Sequence, residues 1–248
     1  MNKINTFDYL KEFDKIYIKI SDSLFNKIRE MILNEFGISA FSKEFLHIHP
    51  STLQSEFAIN DYHHFSRIIK IINYLNISKE KLYKNILGFY HWGSHRKTYL
   101  KIKKELNIDE FFVEGYALYF AEGDNGSNGK NIPRKFRFTN SESCVINHMI
   151  KWIKTYFPNN EFYVDIINPK GNFINLGEIK KLINHEVVKF KEESYNKIIK
   201  YKIHFDSAVL IDLILSIENT IKEFCIKDKN LAAAYIRGLH QSSCHSLF

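Results

Sequence analysis

Glu114-Gly-Tyr-Ala-Leu-Tyr-Phe-Ala-Glu-Gly-Asp124 decides how the rest of this chain is read. Taken as a helix, the stretch puts Ala117 and Ala121 four residues apart on one face, where small side chains let a second helix approach closely. Leu118 and Phe120 flank that stripe with apolar bulk. Gly123 is a natural helix stop. Glu122 before it and Asp124 after it are poor choices for that end, because the carbonyl terminus of a helix carries partial negative charge. Two carboxylates there suit a cation held between them and another group.

Outward from the helix, residues 124–133 form a turn-rich loop whose glycines do not have phosphate-loop spacing. Residues 134–140 then alternate as a strand, with Phe136 and Phe138 opposed to Lys135, Arg137 and Thr139. The pattern recurs at 187–191, where Val188 and Phe190 oppose Lys189 and Lys191. It recurs again at 197–205, where Ile199, Tyr201, Ile203 and Phe205 oppose Lys200, Lys202 and His204. Residues 161–167 break the rule, setting Glu161, Tyr163 and Asp165 against Phe162, Val164 and Ile166. That strand is expected away from nucleic acid or bonded to a cytosine amine. Apolar backs and basic fronts predict a sheet whose wet face meets phosphates and base edges. Helices over 141–157 and 207–224 would cover the dry side, with Trp152, Ile153, Tyr156, Leu210, Leu213 and Ile214 in the core. Cys144 and His148 stand one helical turn apart, a metal-ligand spacing, but no third ligand is near in sequence and packing is the preferred reading.

The stretch 114–124, with the strand, Thr-Asn-Ser turn and amphipathic run that follow it, resembles the first motif of the LAGLIDADG homing endonucleases, in the Leu-Tyr-Phe-Ala-Glu-Gly form common in archaeal members. The resemblance implies two such helices packed side by side, with Ala117 and Ala121 as packing residues. It implies Glu122 as the catalytic, metal-binding acid, Asp124 nearby, and Mg²⁺ or another divalent ion as cofactor. Double-stranded DNA is the implied partner, held by Lys135, Arg137, Lys189, Lys191, Lys200 and Lys202. Asn230-Leu-Ala-Ala-Ala-Tyr-Ile-Arg-Gly-Leu239 looks like the start of a second such helix, with Gly238 and Ser242 where Ala117 and Ala121 stand in the first. The likeness then decays: Ser243 occupies the place of Glu122 and Cys244 that of Gly123. A second sheet unit is expected to be absent. One complete catalytic half implies weak or no cleavage by a monomer. A monomer is expected rather than a homodimer, because 231–239 would cover the stripe that a second copy needs.

The amino-terminal hundred residues read differently. Residues 15–20 alternate like a strand, and a helix capped by Ser21 or Asp22 runs to Phe36 and ends at Gly37. Residues 41–57 look like a helix-turn-helix, with Pro50 and Ser51 opening a reading helix that presents Ser51, Thr52, Gln54 and Ser55, so that Thr52 and Gln54 are candidate base contacts. A helix over 62–76 follows, with the adjacent His63 and His64 read as ordinary surface histidines. A short helix capped by Ser78 comes next, and Phe89–Lys97 reads as an inter-domain linker.

Composition bounds these readings. The 248 residues, 45% of them hydrophobic, suffice for two cores. A net charge of +7 and a pI near 9.1 fit a nucleic-acid partner. Cys144, Cys225 and Cys244 suggest neither a zinc site nor a disulfide framework, so a reducing, cytoplasmic setting is expected. The longest apolar run, 208–217, is too short to span a bilayer and contains Asp212, so no membrane association is expected.

The expected architecture is α+β. A helical, helix-turn-helix-like module with linker occupies 1–100. An α-ββ-α-ββ-α unit with an antiparallel sheet occupies 107–229, and the start of a second motif 230–248. The expected function is DNA binding with phosphodiester hydrolysis, or a remnant of it. The alternative is a non-catalytic DNA-binding protein, regulatory or a splicing helper, on the same scaffold.

Overall fold

The computed structural model describes residues 2–10, 16–91, 99–124, 135–172, 175–186, 188–195 and 197–241. The chain is mixed α+β and divides into two compact units: Asn5–Lys104, and Glu105–Phe248 together with Met1–Ile4. Strand β1 (Asn2–Asn5) pairs with a strand more than a hundred residues away, β6 (below), which is why the first residues fall in the second unit.

The Asn5–Lys104 unit runs α1 (Thr6–Leu10), β2 (Ile16–Ile20), α2 (Asp22–Glu35), α3 (Ile38–Phe41), a π-helical turn (Ser42–Leu46), α4 (Pro50–Glu56), β3 (His63–His64), α5 (Phe65–Tyr74), α6 (Lys79–Asn85), β4 (Ile86–His91) and β5 (Tyr99–Leu100). Helix α2 has the boundaries its sequence dictates. The Ser21 hydroxyl accepts the Leu24 N–H, and Gly37, at φ +72°, takes the left-handed turn past the end. Leu24, Phe25, Ile28 and Ile32 form its buried stripe. The sequence reads as a helical module with one strand-like stretch, but the unit holds a four-stranded antiparallel sheet in the order β3-β2-β4-β5. Residues 89–91 of the expected linker belong to β4, whose Gly88, Phe89 and Tyr90 are all buried; 92–97 lie outside the described residues. His63 is not at the surface. It is fully buried, stacked on the Phe25 ring at 5.1 Å, with Nε2 3.1 Å from Asn60 Oδ1. Burial holds its pKa below the ordinary imidazole value.

The second unit runs β6 (Glu105–Ile108), α7 (Glu110–Glu122), β7 (Gly123–Asp124), β8 (Phe136–Asn140), α8 (Ser143–Tyr156), β9 (Tyr163–Pro169), α9 (Leu176–Lys181), β10 (Val188–Glu193), β11 (Lys200–Phe205), α10 (Ala208–Ser216), α11 (Glu218–Lys227) and α12 (Lys229–Gln241). Its sheet has the order β10-β9-β11-β8-β7. Neighbours are antiparallel except β10, which runs parallel to β9. After α8 the sheet holds the three strands that the alternation marks, one more than an α-ββ-α-ββ-α unit has, and α9 lies in the longer connection that a parallel pair requires. The helix expected over 207–224 is two, α10 and α11, meeting at Ile217. Helices α7, α8 and α10 lie against β8, whose Phe136 and Phe138 are fully buried beneath them. Residues 229–241 are part of this unit, since α12 packs along α7.

Candidate functional site

Helix α7 is the axis of the second unit. Phe112, Val113 and every residue from Gly115 to Tyr119 are buried, so it has core on all sides rather than one apolar stripe. Its start is fixed by Asp109, whose carboxylate accepts the Phe112 N–H at 2.8 Å and the hydroxyl of Tyr156. The Trp152 indole N–H donates to the Phe112 carbonyl at 3.0 Å, and the Tyr116 hydroxyl to the Ile214 carbonyl at 3.0 Å. Burial of both tyrosines raises their pKa values. Gly115 is what lets Trp152 in: a Cβ there would stand 2.2 Å from the indole.

On another side α7 meets α12 through small residues. Leu231, Ala234 and Gly238 are the buried positions of α12. A Cβ on Gly238 would lie 2.2 Å from the Glu114 carbonyl oxygen and 2.8 Å from Ala117 Cβ. Ala117 is fully buried. Ala121, a turn further on, is exposed; Ser242, its expected counterpart, and Ser243 and Cys244 after it lie outside the described residues. Glu114 ties the pair together at its edge. It accepts from Arg237 Nε at 3.2 Å and Gln241 Nε2 at 2.6 Å, while Arg237 also reaches Glu110 at 3.3 Å. The sequence reading missed Gly115, Glu114 and Arg237. Gly115 left a signal, since a glycine inside a helix costs about 1 kcal/mol against alanine and marks a close approach.

Glu122 closes α7, half-buried. Burial alone raises its pKa above the ordinary carboxylate value, with no cation set against it among the described residues. Gly123 follows with its N–H on the Tyr119 carbonyl, and the backbone of Asp124 pairs with Arg137 in the β7–β8 ladder. Among the described residues no group of three or more His, Cys, Asp or Glu gathers as a metal site. Cys144 and His148 line an open cavity of about 540 Å³ with Asn147, Lys151, Lys154 and Asn184; His148 Nε2 lies 3.8 Å from a Glu114 oxygen, but Cys144, His148 and Glu114 do not gather as a metal site.

The five expected cations of β8, β10 and β11 come together by register. Across four strands, Lys189, Asp165, Lys202 and Thr139 stand in one row; Lys191, Ile167 and Lys200 form a second. Tyr163, His204 and Arg137 form a third, which Asp124 continues on β7. Paired residues share a face, so Arg137, Lys189, Lys191, Lys200 and Lys202 all lie on the side opposite the buried Phe138, Val164 and Ile203. Lys135, of the same parity, is held by Asp206 at 2.9 Å.

Asp165, in the odd strand, sits amid these cations. It is 1% exposed, with Lys191 Nζ 2.5 Å and His204 Nε2 3.2 Å from the same oxygen. Burial would raise its pKa, but the Lys191 ammonium and the His204 ring outweigh burial and hold it below the usual range. The Lys189 ammonium lies over the Tyr163 ring at 4.3 Å. Asp165 therefore fixes where the basic face presents its charge, and is itself too buried to meet a base.

In the other unit Thr52 and Gln54 are exposed on α4, as are Ser51 and Ser55. Helix α4 is held from behind by Glu56, which accepts the His64 N–H at 2.9 Å and pairs with Arg67. No helix among the described residues is long and apolar enough to cross a membrane. Comparison with protein-family models, curated proteins and solved structures finds no match for this chain.

Proposed function

We propose that this is a DNA-binding protein of the LAGLIDADG homing-endonuclease type, in which a single chain supplies both helices of the central pair. One observation carries the reading: α7 and α12 touch through Ala117 and Gly238 beside a sheet whose far face carries Arg137, Lys189, Lys191, Lys200 and Lys202. Small-residue helix contact and a one-sidedly basic sheet are independent features, and this scaffold needs both. Duplex DNA would lie on the sheet face, with the cations on phosphates and Thr139 and Tyr163 near base edges.

A divalent ion, Mg²⁺ first, would take Glu122 as its protein ligand. A hard cation bound by one or two carboxylates and completed by phosphate oxygens and water suits a half-buried carboxylate that has no counter-ion among the described residues. When bound, such an ion supplies activation of water and stabilisation of the leaving oxygen. The chain's own part is to hold the Glu122 carboxylate at the end of a helix locked on all sides, and the backbone there beside Arg137 of the DNA face. With α12 already covering Ala117, the protein acts as a monomer, and its second helix brings no described acid to match Glu122.

Two measurements test this. Replacing Lys200 and Lys202 with Ala should flatten the log–log salt dependence of duplex binding by about 2, as each phosphate contact contributes about 0.9; an unchanged slope removes the sheet face from the interface. In a Mg²⁺-dependent plasmid assay the monomer should nick or stay silent. A stable dimer that makes linear product, lost in Glu122→Gln, would refute the monomeric reading.

A further inference from the structure

The helix-turn-helix legible in sequence, 41–57, whose first helix is the π-helical turn Ser42–Leu46 and whose second is α4, is a poor DNA reader, since the exposed residues of α4 include no cation. A second one lies in the same unit. Helices α5 and α6 are joined by residues 75–78, a four-residue turn of the length this motif uses. Asn76 takes the left-handed conformation at φ +52°, and the Ile77 N–H closes the end of α5 on the Ile72 carbonyl at 2.8 Å. Leu75 and Ile77 on either side are buried, and Ile71, Ile72 and Leu82 are fully so. The two helices are thus locked at their corner by apolar residues, and the outer face of α6 stays open.

That face is cationic. Leu82 and Tyr83 point inward, while Lys79, Lys81 and Lys84 are exposed. Lys81 and Lys84 share the outward side at i, i+3 spacing. The one acid of the helix, Glu80, is occupied: Lys104 Nζ holds both its oxygens at 2.5 and 2.6 Å. Exposed Lys27 of α2 lies against Lys81, close enough to lower the Lys81 pKa. Two ammonium groups meeting at the surface repel unless an anion bridges them, and a duplex phosphate is such an anion, with Lys84 on the same outward side.

We propose that α5, its turn and α6 form the DNA-docking helix-turn-helix of the Asn5–Lys104 unit, with α6 entering the groove and Lys27, Lys81 and Lys84 seated on duplex phosphates. The proposal deepens the DNA-binding reading and rests on it. It places the contacts on α6 instead of on Thr52 and Gln54.

The test uses the full chain and a labelled mixed-sequence DNA duplex, with binding followed by fluorescence anisotropy across KCl concentrations. The triple variant Lys27→Ala, Lys81→Ala, Lys84→Ala should flatten the salt slope by about 2 to 3. Its thermal melt should match the parent or exceed it, since the replaced side chains are exposed and one repulsion is removed. Lys81→Gln and Lys84→Gln singly should each remove about 0.9, which keeps the test valid if the triple variant folds poorly. Thr52→Ala with Gln54→Ala should leave affinity unchanged; a loss there would return the contacts to α4 and overturn the proposal. An unchanged slope in the lysine variants, with the slope of Lys200→Ala, Lys202→Ala reduced, refutes the α6 site and leaves the sheet reading standing. A parent that fails to bind the duplex at low salt refutes both.

Discussion

Helices α7 and α12 both carry small residues at helical spacing but have unlike surroundings. Helix α7 is buried from Phe112 to Tyr119 with Glu114 as the single break, whereas α12 buries only Leu231, Ala234 and Gly238 and exposes Ile236 and Leu239. Each contains a glycine with no room for a Cβ. At Gly115 the obstacle is the Trp152 indole; at Gly238 it is the main chain of Glu114. Small residues at helical spacing therefore say that a close approach exists, but not how deep in the fold it lies. Depth is set by the other faces: α7 carries Tyr116, Leu118 and Tyr119 where α12 carries Arg237, an exposed Leu239 and His240.

The comparison is broken most severely at Gly115. Substitution by Ala gains about 1 kcal/mol of helix propensity and drives a methyl into a fully buried Trp152, an overpacking cost of about 3 kcal/mol. Chemical denaturation should show a net loss near 2 kcal/mol with unchanged m-value, spread over the whole unit. Parent-like stability would mean that the indole has room to swing. Gly238→Ala comes next, with a smaller loss of about 1 kcal/mol, because the one-sided α12 can lift away while α7 stays in its core. Hydrogen exchange should then show faster exchange in 229–241 and retained protection in 110–122. Acceleration in both helices together would make them a single cooperative element and erase the distinction.

The smallest effect sits at the far end of α7. Glu122 has a folded-state pKa above its ordinary 4.5 because of burial. The native state therefore holds that proton more tightly than the unfolded chain, and at pH 7 the ionised carboxylate detracts from stability. As pH falls through the raised value the penalty is relieved, and below 4.5 it is gone. Glu122→Gln should thus melt slightly higher than the parent at pH 7 and equally at pH 4. Added Mg²⁺ should raise the melting temperature of the parent alone. A variant that melts lower at pH 7 would mean that the carboxylate already has a partner.

Much of this was open to reading from residues. The stretch 114–124 gives α7, Ser21 and Gly37 bracket α2, and the alternation of Phe136, Phe138, Tyr201, Ile203 and Phe205 gives β8, β11 and their shared dry face. Two kinds of feature were not. Strand β4 reads as a linker because buried neighbours on both faces remove the alternation that announces a strand, and Gly88 imitates a hinge. The parallel pairing of β10 with β9 is a non-local choice that neither strand encodes. The candidate site divides the same way. The cations of the sheet face were legible one by one. Asp165, which orders two of their neighbours, looked like an exception because its partners Lys191 and His204 are 26 and 39 residues off. Helix α6 was legible as a helix but not as a cationic face, since Lys27 meets it from another element.

The two crowded glycines also differ in how forgiving their neighbourhoods are to change. The group opposing Gly115 is a side chain, so a larger residue there has a remedy: a smaller residue at 152 can make room, and the two substitutions together should cost less than their sum. The group opposing Gly238 is a carbonyl oxygen, which every amino acid at position 114 carries alike. No replacement at 114 removes it, and every single-nucleotide change to a glycine codon that alters the residue adds a Cβ or ends translation. In a deep mutational scan of this unit, position 115 should show strong positive epistasis with position 152, whereas the milder loss at position 238 should stay the same whatever residue stands at 114.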